Sequence, residues 1–249
     1  MAIFSRSNKP IFLKDSSDAE EDLSRLKELY MNATGKTKSQ IELEIRLISY
    51  GLIGEKNIAF ELSNSGMSMY ILHDIHLELE DLSAQIDYIV VTKKVIYIIE
   101  CKNLIGNITI DRDGNFIRDF VFGGRKIREG IYSPITQNQR HLEVIKQIKK
   151  RSKTNVFTKF FFEKYFNDNY KSIVVLSNPK TILNARYAKK DVRDKVIRAD
   201  QLIRFIKDTD KASENLSLKY GDMKNIALGF LELHTPNKTD YAAKFENFI

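Results

Sequence analysis

Apolar residues recur at helical spacing in the first quarter of the chain and at strand spacing after Met69. Leu23, Leu26, Leu29 and Tyr30 form a short stripe behind Ser17 and Glu20, which stand at capping-box spacing, so a helix is expected over residues 18–31. The polar stretch 32–38 reads as a loop. A second helical run starts at Ser39 as cap, with Ile41, Ile45, Ile48, Leu52, Ala59 and Leu62 on one face. Glu55 falls on that stripe. Gly51 and Gly54 are points at which the run can divide into two helices, and the phase then holds only from Ile53 onward. From Met69 the pattern predicts strands at 70–79, 85–91 and 95–101, the last two joined by a tight connection at 92–94. Residues 95–99 are apolar without a gap, which suits a central strand covered on both faces.

Further along, Asp113-Gly114 and Gly123-Gly124 are turn signals between β-favouring stretches, so 107–128 reads as a small antiparallel meander. Ser133 as cap and Pro134 at the first helical position start a helix running to about residue 150. Residues 171–176 form a further buried strand and 196–197 a very short one, with helices expected at 201–207 and 223–233. No repeat, low-complexity tract or clear linker divides the chain. The fold class is α/β, with a mixed central sheet flanked by helices. Within it the pattern suggests an N-terminal helical arm (1–38), a core (39–150) and a C-terminal α/β extension packed on that core (151–249).

Composition narrows the setting. A chain of 249 residues, 43% of them hydrophobic, can close one substantial core. The single cysteine, Cys101, cannot form an internal disulfide, so a reducing cytoplasm is the simplest home. Residues 1–17 carry Arg6, Lys9 and Lys14 but no apolar stretch fit for a signal peptide, and no segment approaches the roughly 18 apolar residues of a membrane span. No membrane partner is expected. A formal charge of +7 makes a polyanion a reasonable partner without requiring one.

Candidate chemistry concentrates in Gln85-Ile86-Asp87-Tyr88 and Ile99-Glu100-Cys101-Lys102-Asn103. Residues two apart in a strand share a face, so Glu100 and Lys102 project together while Cys101 turns into the core. Asp87, on the preceding strand, can lie opposite Glu100. Charges at the end of so apolar a strand cost several kcal/mol each, roughly, unless they are paired or hold a cation. Paired carboxylates bind a hard divalent cation, and the ammonium can position a water or stabilise a phosphoryl transition state. The bland reading is a surface salt bridge. Against it, Glu-x-Lys occurs once in the chain, and Asp222-Met223-Lys224 lies in an expected helix, where i and i+2 do not share a face.

This arrangement resembles the active site of the PD-(D/E)xK nucleases. Together with Gly51-Leu52-Ile53-Gly54-Glu55 and Ser133-Pro134-Ile135-Thr136-Gln137, it resembles the nuclease-related domain (NERD) family in order and spacing across residues 39–150. The resemblance implies a restriction-endonuclease-like fold, Mg²⁺ or in its place Mn²⁺, and Glu55, Asp87, Glu100, Lys102 and Gln137 as site positions. Asp87, Glu100 and Glu55 would hold metal, Lys102 would contact water or phosphate, and Gln137 would reach in from the helix after the meander. Ile86 departs from the proline of the superfamily's name, as the nuclease-related domain usually does.

Other motifs carry less. Thr34-Gly35-Lys36-Thr37 resembles the end of a phosphate-binding loop, but Tyr30 stands where the first glycine belongs and a helix precedes it, so no ATPase is expected and any motor would be a separate helicase or defence partner. His73 and His76 point to opposite faces, which argues against zinc. His141, one turn after Gln137, reads first as a solvated or hydrogen-bonded helix histidine. Arg125, Lys126, Arg128 and Arg140 are candidates for tracking a nucleic-acid backbone. Lys146, Lys149, Lys150, Arg151 and Lys153 are explained as well by the helix dipole as by a phosphate-tracking surface, and the run Phe157, Phe160, Phe161, Phe162, Tyr165 and Phe166 by a packed helix or dimer contact ahead of base stacking. The leading expectation is a metal-dependent DNA endonuclease, RNA being a second substrate class. The alternative is a non-cleaving nucleic-acid-binding or interaction module on the same fold.

Overall fold

The computed structural model describes residues 9–236 and 240–246; Arg6, part of the basic N-terminus, lies outside them. The chain runs β1 (Pro10–Lys14), α1 (Asp18–Asn32), α2 (Gly35–Ser63), β2 (Met69–Leu79), β3 (Leu82–Val91), β4 (Ile96–Lys102), β5 (Asn107–Ile110), β6 (Phe116–Phe122), β7 (Arg125–Ile131), α3 (Pro134–Arg151) and α4 (Val156–Asn169). It continues through β8 (Tyr170–Leu176), β9 (Leu183–Asn184), α5 (Lys190–Arg193), β10 (Val196–Arg198), a 3-10 turn (Ala199–Gln201), α6 (Leu202–Ala212), α7 (Tyr220–Leu231) and α8 (Ala243–Glu246).

A six-stranded mixed sheet in the order β1-β2-β3-β4-β8-β10 forms the centre. The β2/β3 and β3/β4 pairs are antiparallel, while β1/β2, β4/β8 and β8/β10 are parallel. Strand β4 has the gapless apolar run because both its faces are covered. Ile96 and Ile98 pack with Val144 and Ile145 of α3 and Met223, Ala227 and Phe230 of α7, whereas Tyr97 and Ile99 pack with Ile58 and Leu62 of α2 and Leu202 and Ile206 of α6. The meander forms a second mixed sheet, β7-β6-β5-β9, which packs Ile108, Ile110 and Phe116 with Val174 and Leu176 of β8 and Val196 of β10. The expected α/β architecture with mixed sheets between helices is therefore present. The central sheet takes β1 from the first 38 residues and β8 and β10 from beyond residue 150, with β8 an internal strand. Among the described residues no helix is long and apolar enough to cross a membrane.

Three local readings change. The loop expected at 32–38 shrinks to Ala33 and Thr34, because α2 begins at Gly35. Helix α2 runs 29 residues without dividing at Gly51 or Gly54. Gly54 is there for contact: a Cβ on it would meet Ser177 Oγ at 2.5 Å, Asn103 Cβ at 2.6 Å and Cys101 Sγ at 3.1 Å, so its absence lets the helix lie against the ends of β4 and β8. The aromatic stretch is helix α4, but only Phe162 and Phe166 pack on the core, while Phe157, Phe160 and Phe161 are exposed.

Candidate active site

Strand β4 carries its pattern to the edge of the core and there changes from apolar to charged. Glu100 is 2% exposed, and Lys102, on the same face, places Nζ 2.6 Å from its Oε1. Cys101 turns the opposite way, its thiol donating to Ser177 Oγ at 3.3 Å beneath α2. Burial, and then the charge of Asp87, push that thiol well above its ordinary range, so it stays protonated and acts as packing rather than as a nucleophile. Two further bonds tie the three elements at this point: Asn57 of α2 donates to the Ser177 carbonyl at 3.0 Å, and the Ser177 amide donates to the Lys102 carbonyl at 3.1 Å.

The β3/β4 ladder runs to Tyr88↔Ile99, which puts Asp87 next to Glu100. Asp87 Oδ2 accepts the Cys101 amide at 2.5 Å. Pairing between β2 and β3 is interrupted beside it, at Asp74 and Asp87, between His73↔Tyr88 and Ile75↔Ile86. Asp74 has φ 56°, a left-handed conformation that aspartate tolerates better than most residues. Its carboxylate accepts from the Gln85 side chain and, at 2.9 Å, from the Asp18 amide.

Helix α2 delivers Glu55, one residue after the close contact at Gly54. Glu55 Oε2 lies 2.7 Å from His73 Nε2, and the Tyr88 hydroxyl donates to the Glu55 carbonyl at 2.9 Å. Helix α3 delivers Gln137 from its first turn, with Ser133 capping Thr136 as its sequence position suggested. Neighbouring Asn138, fully buried, donates to the carbonyls of Ile98 at 2.9 Å and Ile173 at 3.0 Å, which seats α3 across β4 and β8. Gln137 Oε1 then accepts from Lys102 Nζ at 3.1 Å. Glu55, Asp87, Glu100, Lys102 and Gln137 thus converge from α2, β3, β4 and α3.

Electrostatics show an excess of negative charge. Burial raises the Asp87 carboxyl well above its ordinary range, and the charges of Glu100 and Glu55 add to that. Burial likewise raises Glu100, against the opposing pull of Lys102. Glu100 Oε2 is buried without a hydrogen-bond partner, 3.5 Å from His141 Nδ1, which also lacks one. Burial, and then the Lys102 charge, push His141 down to about 4, so it stands as a neutral imidazole beside the carboxylate. Of the two forms expected from sequence, solvated or hydrogen-bonded, His141 is not the solvated one, and its Nδ1 makes no hydrogen bond. His73 was set aside there as well. Its pairing with a helix residue 18 positions earlier has no local signature. Burial disfavours its imidazolium, but the bond and charge of Glu55 outweigh this and raise its pKa. His76 goes elsewhere, to Thr235 Oγ1 at 3.1 Å, so the two histidines do not share a site.

The donor set is hard oxygen with one bare buried atom and no full counter-charge, which fits a divalent cation. Among the described residues no three His, Cys, Asp or Glu side chains lie close enough to form a ready-made cage. The physical reason is visible in the partners: Glu100 is drawn to Lys102 and Glu55 to His73. The basic candidates lie outside this cluster. Arg125, Lys126 and Arg128 are exposed on β7, the edge of the second sheet, with Arg128 3.8 Å from Asp119. Arg140 is exposed on α3, its guanidinium 5.6 Å from the Tyr132 ring centre. At the end of α3, Lys150 pairs with Glu163 and Arg151 with Glu80, so those cations have structural partners.

Mixed sheets between helices, with Asp, Glu and Lys gathered at the edge of one buried strand, define a nuclease-like α/β protein. A family model described as the nuclease-related domain matches residues 50–177, more than half of the 249. The chain belongs to that family. The match spans all five converging residues and leaves β1 and α1 outside it. Comparison with curated proteins and with solved structures yields no match.

Proposed function

We propose that the protein is a divalent-metal-dependent phosphodiesterase, with DNA as its first substrate and endonucleolytic cleavage as its reaction. The observation that carries this reading is the buried Glu100, paired through one oxygen to Lys102 and bare at the other, with Asp87 beside it. Asp87 and Glu100 would hold Mg²⁺, or Mn²⁺ in its place, with Glu55 as third carboxylate. When bound, such a cation supplies Lewis-acid polarisation of the phosphate and a water of lowered pKa.

The chain's own groups do the rest. Lys102, held between Glu100 Oε1 and Gln137 Oε1, keeps an ammonium proton for a phosphate oxygen or the attacking water. Gln137 fixes that ammonium through its carbonyl and retains amide protons for the phosphate. Arg125, Lys126, Arg128 and Arg140, exposed outside this cluster, would supply cations for the nucleic-acid backbone. The superfamily resemblance implies 5′-phosphate ends.

Purified protein incubated with supercoiled plasmid, single-stranded DNA and RNA in Mg²⁺ or Mn²⁺ tests the proposal. Cleavage is expected from wild type and lost in Asp87→Ala and Lys102→Ala; equal cleavage by all three sinks the assignment. The close Glu100–Lys102 pair favours a second reading, a non-cleaving nucleic-acid-binding or interaction module in which that pair is only a salt bridge. It predicts salt-sensitive DNA binding without metal-dependent cutting.

A further inference from the structure

The groups that hold Glu55 come partly from outside the stretch matched to the family. His73 Nε2 lies 2.7 Å from Glu55 Oε2, while His73 Nδ1 lies 3.1 Å from the carbonyl oxygen of Asp15, in the turn between β1 and α1. A carbonyl only accepts, so Nδ1 carries a hydrogen there. The imidazole lies flat on Tyr88, with centroids 4.6 Å apart and planes 17° apart. Ring face, Nδ1 and Nε2 are all engaged, so the ring has one orientation.

The turn that carries the Asp15 carbonyl is tied down at its next residue. The Lys14 ammonium, largely buried, donates to three main-chain carbonyls: Ser16 at 2.7 Å, Asp74 at 2.9 Å and His73 itself at 3.1 Å. Asp74 is the left-handed residue beside Asp87, and its carboxylate receives the first amide of α1. One lysine thus staples the β1–α1 turn to the irregular point of β2, directly behind the acidic cluster.

We infer that His73 is a positioning residue for Glu55, held in place by the main chain of residues 14–18, so that the N-terminal strand and turn are a working part of the site. This rests on reading Glu55 as a cation-holding carboxylate. The physical need for it follows from charge. Glu55 lies against Tyr88, the neighbour of Asp87 on β3, so its carboxylate sits near like charge that pushes it away. Anchoring Oε2 on His73 opposes that repulsion and fixes the direction of the side chain.

The test uses the full chain and three variants: His73→Phe, which keeps the ring stack and removes both nitrogens; His73→Gln, which keeps a donor; and Lys14→Met, which keeps the stem. In metal-free protein labelled with ¹⁵N at histidine, the His73 ring signals are expected to shift in Glu55→Gln and in Lys14→Met. Calorimetric Mn²⁺ titration is expected to show binding about 10-fold weaker in His73→Phe, with His73→Gln recovering most of the loss, the range seen when the outer partner of a metal ligand is removed. Should His73→Phe not fold, His73→Gln and Lys14→Met still read the same two quantities. Ring signals indifferent to Glu55→Gln, or Mn²⁺ affinity unchanged in His73→Phe, overturn the inference while the nuclease reading stands. A flat titration of wild type with responsive ring signals overturns the cation reading, and with it the positioning role.

Discussion

Two glycines three residues apart in α2 should respond in opposite directions to the same substitution. A Cβ on Gly51 would meet nothing within 4 Å, so Gly51→Ala gains helix propensity of about 1 kcal/mol without a steric cost. Gly54→Ala makes the same gain but drives its methyl to 2.5 Å from Ser177 Oγ and 2.6 Å from Asn103 Cβ. The hydroxyl can rotate away; Asn103 Cβ can move only with the backbone at the end of β4. Overpacking of this kind costs about 1–3 kcal/mol. Since the propensity gain is common to both, that cost is the expected difference between the variants. For a chain of this size it separates the melting midpoints by roughly 2–12 °C, Gly51→Ala above wild type and Gly54→Ala below Gly51→Ala throughout. Thermal melts and urea titrations with unchanged m-value read this directly. Pushing α2 outward also strains the Asn57–Ser177 and Glu55–His73 bonds, so plasmid cleavage should fall in Gly54→Ala and persist in Gly51→Ala. If Gly54→Ala melts at or above Gly51→Ala, the close approach of α2 to β4 and β8 is not what places Glu55.

Two further outcomes follow from charge. Asp87 and Glu100 have raised pKa values, chiefly from burial, so the folded protein binds protons that the unfolded chain has released; the stability they lend is complete below about pH 4 and is lost as pH rises through the raised values. Melting of cation-free protein should therefore fall over that range, Mn²⁺ should restore it most at the high-pH end, and Asp87→Asn should flatten the response; a Mn²⁺ increment equal at every pH counts against the site. On the β6–β7 hairpin, replacing Arg125, Lys126 and Arg128 by alanine should weaken duplex binding alike for all sequences and reduce the salt slope by up to about 0.9 per lost phosphate contact. An unchanged slope would put the nucleic acid on another face.

What could be read from the sequence is what depends on near neighbours. Alternation along β4 puts Glu100 with Lys102 and Cys101 opposite. The short connection before β4 brings Asp87 beside Glu100, and Ser133 with Pro134 sets the start of α3 closely enough to place Gln137. Each of these follows from a period or a cap within a few residues. The continuity of α2 did not, because the glycine that looks like a helix breaker is selected by a contact with residues 103 and 177. Nor did β1, five residues long, whose parallel partner β2 lies far along the chain, or the Glu55–His73 pair.

These omissions share a cause, and it bears on how the site works. The legible residues are those whose placement one element or one turn decides; the illegible ones hold separate elements together. Glu55 belongs to both groups. Its stripe on α2 is visible in sequence, but the direction of its carboxylate is decided by His73, Asp15 and Lys14, which no periodicity connects to it. A carboxylate cluster without full counter-charge needs such external restraint, because repulsion alone would disperse it. Restraint at Glu55 comes from His73, itself held by a strand and turn outside the matched stretch, at Glu100 from Lys102, and at Lys102 from Gln137. Loss of the β1–α1 turn should therefore act on Glu55 before it acts on Asp87 or Glu100, an order that the Lys14→Met variant can reveal.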